Sequence, residues 1–549
     1  MRKLKLFVFF LAAVALLVVF SNRINLDKKI LDIRTGLTGP PWPTFHGSSK
    51  NGGLSPYSTK HVDGTIKWKV NIKDNLNVVP FVESSPVIGA DNTIYIATHE
   101  NNLFAIDSNG TVKWKFDAGG TVDIGEYRTK KGIVSTPAIA VDGTIYITTL
   151  ENWLIAVNPD GTEKWRFEHP TSHFNGWTSP TIGKDGTIYL SSAGKWFSDS
   201  EKESAIYAVN PDGTEKWRYS NESGGAATPA IDDDGTIYVT GAISKDASTD
   251  ATKGKLISLN KDGELNWEFI IDRWVEGHPT IDKDGTVYIG TKGGTIYALN
   301  KDGTIKWEYL IDDKINPDEI TYFVKPDYKS LNGISAVPAI GKDGTIYIPS
   351  WNGIFYAFNK DGSVKWKIGT RKGFEALSTG VVIGKEGTLY LMSLNTGWLY
   401  AFNPDGELLW DFTTNVATFG LSPASPSIGA DGTMYIVGND GYLYALTGKG
   451  NYKYRSIKKE EGGIVTYLPS SERGSSGESF EKFNLEDTEE SKMIDVDYES
   501  EFGSPQHPKE CVAGGEFVGE DECNAIMKEK YGERNVFGSF FEWLKNLIK

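Results

Sequence analysis

A chain of 549 residues with a net charge of −15 has no basic stripe to match a phosphate backbone, which excludes nucleic acid as a partner. Hydrophobic residues at 39% and aromatic residues at 12% are enough for a packed core, and 60 glycines belong to a chain that turns often. The only cysteines, Cys511 and Cys523, lie close to the C-terminus, so no disulfide framework or thiolate metal site holds the main body.

The N-terminal residues MRKLKLFVFFLAAVALLVVFSNR place Arg2, Lys3 and Lys5 ahead of an unbroken apolar run from Leu6 to Phe20. Fifteen helical residues at ~1.5 Å each fall short of a ~30 Å hydrocarbon core, which fits a signal peptide cleaved after Ser21. Snorkelling of Lys5 and Arg23 equally fits an uncleaved membrane anchor. Both readings of residues 1–24 export the rest of the chain, to the cell surface or periplasm or as a secreted protein. No cysteine lies near enough to carry a lipid.

From about residue 63 the sequence repeats. One copy reads STPAIAVDGTIYITT (135–149), LIAVN (154–158) and DGTEKWRF (160–167), four short alternating strands that can be named A to D. Nine residues separate the proline position from the tyrosine in all eight copies, as in Pro86 to Tyr95, Pro137 to Tyr146 and Val381 to Tyr390. Nine also separate the alanine position from the tryptophan, as in Ala105 to Trp114 and Ser258 to Trp267. The tyrosine-to-alanine gap stretches to 19 before Ala208 and 20 before Ser258, and the tryptophan-to-proline gap runs from 12 to 31. The A–B and C–D connections are therefore uniform, the B–C and D–A connections vary, and in an up-and-down meander the two kinds sit at opposite ends. The uniform turns carry Asp-Gly or Asn-Gly, which supply the backbone freedom of tight hairpins. Runs such as Asp282-Lys283-Asp284-Gly285 lack the distal glutamate of a calcium loop and read as turns.

Such units bury both faces only by packing on their neighbours, which predicts an all-β, eight-bladed propeller of four-stranded antiparallel blades over residues 40–456. DGTIKWKV (63–70) supplies a D strand before any A strand exists, so Trp68 is a candidate to complete the eighth blade. Tyr454 in GNYKYRS (450–456), nine residues after Ala445, is the rival for that position.

The pattern Ala-x-Asn-x-Asp-Gly-x-x-x-Trp, as in AVNPDGTEKW (156–165), resembles the tryptophan-docking repeat of pyrroloquinoline-quinone (PQQ) type propellers. WPTFHGSSKNGGLSP (42–56) is similar to the N-terminal strand of that superfamily's non-enzymatic members, among them the propeller subunit of the bacterial outer-membrane barrel-assembly machinery. The resemblance implies that Trp68, Trp114, Trp165, Trp217, Trp267, Trp307, Trp366 and Trp410 lock adjacent blades together. The superfamily's quinoprotein dehydrogenases hold PQQ over calcium, usually with a disulfide of adjacent cysteines. No cysteine lies in this propeller, so neither PQQ nor calcium is expected.

Other catalytic patterns are missing too. His169 and His173 in HPTSHF have no third ligand, and there is no nucleophile elbow or phosphate-cradling loop. Six further tryptophans, Trp153, Trp177, Trp196, Trp274, Trp351 and Trp398, all fall in variable connections. They mark one face as a candidate surface for a protein segment or glycan, or else they pack beneath long loops. The sequence thus reads as an exported non-catalytic scaffold, and the resemblance implies a role in cell-envelope protein assembly. The alternative is a PQQ-dependent quinoprotein-like dehydrogenase or a carbohydrate-active enzyme.

Beyond the repeat the composition turns acidic and serine-rich, which predicts a disordered linker over 457–508. In 509–549, Cys511 and Cys523 are expected either to pair as a disulfide in an oxidising compartment or to remain two free thiols. Phe537, Phe540, Phe541, Leu544, Leu547 and Ile548 line one side of a terminal amphipathic helix, suited to docking on the propeller, a partner or a membrane surface.

Overall fold

The computed structural model describes residues 40–72, 82–119, 132–168, 178–192, 204–221, 227–242, 253–271, 273, 275, 277–312, 333–369, 377, 379–393, 397–413, 424–438, 440–449, 457–461, 464–468, 511–513 and 516–518. The leader, the terminal amphipathic helix and Cys523 lie outside them.

Eight antiparallel sheets follow one another, each ordered A-B-C-D from the ring axis outward. Blade 1 consists of Val87–Ile88, Ile94–Ala97, Asn102–Ile106 and Val112–Asp117. The eighth sheet takes its first three strands, Ser427–Ile428, Met434–Val437 and Tyr442–Thr447, from the end of the repeat and its fourth, Thr65–Asn71, from the beginning. Trp68 faces Ala445 there, as each tryptophan faces the alanine position of its own blade. The place beside Tyr442–Thr447 is therefore taken by the Trp68 strand, and the rival reading that assigned it to Tyr454 does not hold. Joining both ends of the repeat in one sheet closes the ring.

The fixed spacings have a visible cause. In the A–B turn of blade 2 the Asp142 carboxylate accepts the Thr144 N–H at 2.9 Å, and in its C–D turn Asp160 accepts that of Thr162 at 3.0 Å. Lys164 on the outer strand reaches back to Asp142 at 3.2 Å and Thr144 Oγ1 at 2.9 Å, tying the two turns together. The run once open to a calcium reading behaves alike, with Asp282 and Asp284 held by Lys360 at 2.8 and 2.9 Å. A second device joins blades. Each tryptophan packs on the tyrosine of its own blade, at 5.6 Å between centroids for Tyr146 and Trp165. Seven indoles also donate to a carbonyl in the next blade's C–D turn, as Trp114 does to Pro159 O at 2.9 Å and Trp68 to Ser108 O at 2.9 Å.

The turn glycine is required twice over. Gly263 has φ 84°, and a Cβ placed on it would sit 2.6 Å from the Trp217 ring.

The acidic stretch departs from expectation at its start. Where composition predicts a disordered linker from 457, Ile457–Glu461 and Ile464–Leu468 form a hairpin whose second strand pairs parallel to Val364–Gly369, the outer strand of blade 6. IVTYL is a local β-forming run that a composition average conceals, and the outer edge of a blade offers unpaired backbone groups. Cys511–Ala513 and Glu516–Val518 form a second small hairpin.

Two alanine substitutions separate the causes acting at the turn glycines. Gly119 has φ 86° with nothing within 4 Å of its missing Cβ, so Gly119→Ala costs only the left-handed penalty of about 1–2 kcal/mol. Gly263→Ala adds a further ~1–3 kcal/mol of overpacking against Trp217. Thermal melts should show the larger loss for Gly263→Ala, and equal losses would contradict the indole contact.

Candidate functional site

Two regions could carry function: the axis of the ring and the face bearing the variable connections. At the axis, the innermost strands are only two residues long and would present open edges to the channel. Residues 42–59 run round these edges and meet blades 1 to 7 in chain order. Trp42 exchanges hydrogen bonds with Ile88 in blade 1, and Pro43 O accepts from Ile139 N in blade 2 at 2.7 Å. Thr44 Oγ1 donates to Pro180 O at 3.4 Å in blade 3. Ser49, Lys50, Gly52 and Gly53 then accept from Ile231, Ile281, Ile340 and Ile383 at 2.7 to 3.1 Å. Trp42, His46, Asn51, Ser55 and Thr59 of this segment are each no more than 1% exposed.

Beside this arch runs a series of hydrogen bonds made by the residue before the proline position, interrupted at blade 6, where that residue is Val337. Ser85 N donates to Thr136 Oγ1, Thr136 N to Ser179 Oγ, and Ser179 N to Thr228 Oγ1, at 2.9 to 3.1 Å. Thr228 N donates to His278 Nδ1 at 2.6 Å, which leaves that ring's proton on Nε2. Gly380 N donates to Ser425 Oγ at 3.1 Å, and Ser425 N to Ser85 Oγ at 2.8 Å. Blade 7 has no side chain at Gly380, and the His46 ring fills the space. A Cβ on Gly380 would lie 1.4 Å from His46 Nε2, which stands 3.4 Å from Ser425 Oγ.

Burial decides the charge of both imidazoles. His46 is pushed down to about 3, first by loss of water and then by repulsion from His278, and desolvation lowers His278 to about 4. Both are neutral near pH 7. Phe45 packs edge-on against His278 at 4.7 Å.

These residues do not fit a quinone held over calcium. Calcium needs several oxygen ligands with carboxylates among them. The ring hydroxyls already serve backbone N–H groups, and the buried carboxylates Asp232 and Asp282 are held by Lys50, Lys301 and Lys360 at 2.8 to 3.0 Å. Among the described residues no three His, Cys, Asp or Glu side chains could hold a metal ion.

Three of the six surplus tryptophans are described, and each stands at a B–C connection. Trp153 opens the third strand of blade 2 and is half-buried, with the Arg166 guanidinium 5.5 Å from its ring centre. Trp351 stands between Ile346–Pro349 and Ile354–Phe358 of blade 6, with Lys292 at 5.8 Å over its ring. Trp398 opens the third strand of blade 7, stacked at 6.3 Å on Tyr400. They share one face, but only Trp351 and Trp398 are on adjacent blades, while Trp153 is on the far side of the ring. Trp177, Trp196, Trp274, His169 and His173 lie outside the described residues.

The docking set divides. Trp410 differs from its seven counterparts: its Nε1 has no hydrogen-bond partner among the described residues, and the side chain is 1% exposed. The turn it packs on, at Gly64, is assembled from both ends of the repeat and not from one continuous hairpin. Sequence reasoning missed the axial arch because each of its residues makes contacts that no other residue of the chain repeats, so the segment carries no period of its own. It also passed over the hydroxyl before the proline, although Ser85, Thr136, Ser179, Thr228 and Ser425 show it.

A model of the family described as outer membrane protein assembly factor BamB matches residues 54–198, 202–321 and 322–454. No curated protein matches the chain in sequence. Among solved structures, a europium-containing methanol dehydrogenase is similar with a TM-score of 0.58 and 14% identity, over 74% of this chain and 98% of its own. The quinohemoprotein alcohol dehydrogenase from Comamonas testosteroni is similar with a TM-score of 0.57 and 15% identity, over 77% of this chain and 83% of its own. BamB from Moraxella catarrhalis aligns with a TM-score of 0.48 and 14% identity, over 70% of this chain and 99% of its own. At these identities the two dehydrogenase likenesses speak for the propeller fold alone. Among the described residues no helix is long and apolar enough to cross a membrane.

Neutral buried imidazoles make stability depend on pH. Between about pH 6.5 and 4 the unfolded chain takes up protons that the folded one refuses, so stability falls as pH falls through that window. In His278→Gln a side-chain oxygen can still accept from Thr228 N while the titrating ring is gone. Its melting temperature should fall less steeply with acidification than that of the wild type, and identical slopes would contradict the assignment.

Proposed function

The chain belongs to the family described as outer membrane protein assembly factor BamB, and on that premise we propose an extracytoplasmic, non-catalytic interaction scaffold that binds protein on its variable face. One observation carries the reading. Residues 42–59 of the same chain cover the inner strand edges of blades 1 to 7 at the axis, with the hydroxyls beside them and the nearby carboxylates of Asp232 and Asp282 already committed. Binding is then left to the outer faces, and of these only the variable one differs from blade to blade.

The physical case for that face is that loops of unequal length on a rigid frame give different shapes at fixed positions, which suits recognition. Trp351 and Trp398 on adjacent blades supply large, half-buried aromatic surface of the kind that anchors a protein segment. The family premise supports a partner in the cell envelope, and the N-terminal apolar run supports export.

Two measurements test this. A photo-crosslinker at Trp398 should capture envelope proteins in cells, while one at Asp302, in a uniform turn, should not. Equal capture at both sites would remove the face assignment. Purified protein mixed with PQQ and either calcium or a lanthanide should bind no chromophore and show no dye-linked alcohol oxidation, and a stoichiometric, active complex would replace the scaffold with a dehydrogenase.

A further inference from the structure

Seven of the eight C–D turns place aspartate before the glycine that lies under an indole, as in Asp160-Gly161, Asp212-Gly213 and, at the closing turn, Asp63-Gly64. Blade 1 alone has Asn109-Gly110, with its aspartate moved two residues back to Asp107. An asparagine followed by glycine is the pair in which a backbone amide most readily attacks the side chain before it, because glycine puts no Cβ in the way. Among the described residues three such pairs exist, and the fold treats them differently. Asn51 is 1% exposed, with Nδ2 donating to Pro279 O at 3.1 Å. Asn352 is 5% exposed, with Nδ2 donating to Tyr356 Oη at 3.1 Å and Oδ1 accepting the Ile354 N–H at 3.0 Å. Asn109 is exposed.

What restrains Asn109 is the turn around it. The Asn109 and Thr111 N–H groups both reach the Asp107 carboxylate at 2.9 Å, and the Gly110 N–H donates to Asp107 O at 3.0 Å. Trp68 covers the turn: a Cβ on Gly110 would lie 2.9 Å from its ring, and its Nε1 donates to Ser108 O at 2.9 Å. Trp68 belongs to Thr65–Asn71, the strand that completes the eighth sheet from the other end of the repeat. The one exposed Asn-Gly pair among the described residues is therefore braced by the strand on which closure depends.

We propose that Asn109 is a deamidation site guarded by ring closure. In the reaction Gly110 N bonds to Asn109 Cγ, the bond from Cγ to the side-chain nitrogen breaks, and ammonia leaves with the proton that Gly110 N gives up. Water then opens the cyclic imide at either carbonyl, leaving aspartate or isoaspartate. The attack needs Gly110 N to leave Asp107 O and the backbone to rotate, which the indole over Gly110 resists. When the Trp68 strand lifts, the turn is freed and the exposed amide reacts. Aspartate is the residue that the other seven turns carry at this place. Isoaspartate adds a methylene to the main chain between Asp107 and Thr111, which breaks the spacing of their hydrogen bonds and moves Gly110 from under the ring. A ring that has opened is thus marked covalently at its seam and closes less tightly afterwards. This inference stands apart from the scaffold reading, since it uses only the blade 1 turn and the strand that covers it.

The test holds three full-length proteins in mildly alkaline buffer: the wild type, Trp68→Ala, and Trp165→Ala, which removes the same contact from the junction of blades 2 and 3. Peptide mass mapping with enzymatic isoaspartyl labelling follows Asn109, with buried Asn352 as the internal reference. Trp68→Ala should convert Asn109 at least about tenfold faster than the wild type, whose turn must open first, while Trp165→Ala stays within about twofold of the wild type. Equal rates in the wild type and Trp68→Ala, or equal acceleration by both substitutions, would overturn the proposal. Should Trp68→Ala fail to fold, the milder pair Trp68→Phe and Trp165→Phe answers in its place, each losing only the indole hydrogen bond to the next turn. Trp68→Phe should then convert Asn109 the faster of the two, and a tie or the reverse order would likewise overturn the guard.

Discussion

An indole laid across a glycine turn is the contact on which the rest of this molecule depends. Each tryptophan lies on the turn of the following blade, where only a residue without a side chain can take both the left-handed backbone and the ring above it. A four-stranded blade cannot bury both of its faces alone. The indole turns that deficit into a fixed relation between neighbours, and repetition brings the chain back to its starting point.

Closure leaves an axis, and the axis poses a second problem of the same kind. Eight short inner strands face one another with open edges, and the chain answers with its own N-terminal segment, threaded past blades 1 to 7. Gly380 and His46 show how closely the two parts are matched, since a missing side chain in blade 7 is replaced by a ring from the arch. Filling the axis from within has a functional consequence. On the proposed scaffold reading, recognition falls to the surfaces where the blades differ in loop shape.

Most of the fold was legible because it repeats: nine residues from proline to tyrosine and nine from alanine to tryptophan fix strand register, turn type and the unequal faces. Ring closure could be read only as a choice, since Trp68 carried the D-strand motif and Tyr454 the nine-residue spacing, and the pairing of Trp68 with Ala445 decides it. What could not be read were contacts made once. His46 fits one glycine in one blade, and Thr44 serves a single carbonyl. The hairpin at 457–468 was hidden for another reason, because IVTYL is a short local signal inside an acidic average. The candidate face was legible as a location through its variable connections. Its shape was not, because Trp153 and Trp351 share a face without sharing a site.

Hydrogen exchange of residues 42–59 in the intact protein tests most directly whether the chain fills its own axis. If it does, amides bonded across the blades, such as Trp42 and Ser55, exchange as slowly as those of the central strands. Exchange there at the rate of an unfolded peptide, with the blades still protected, would mean that the axis is open and that the case against an axial ligand falls with it.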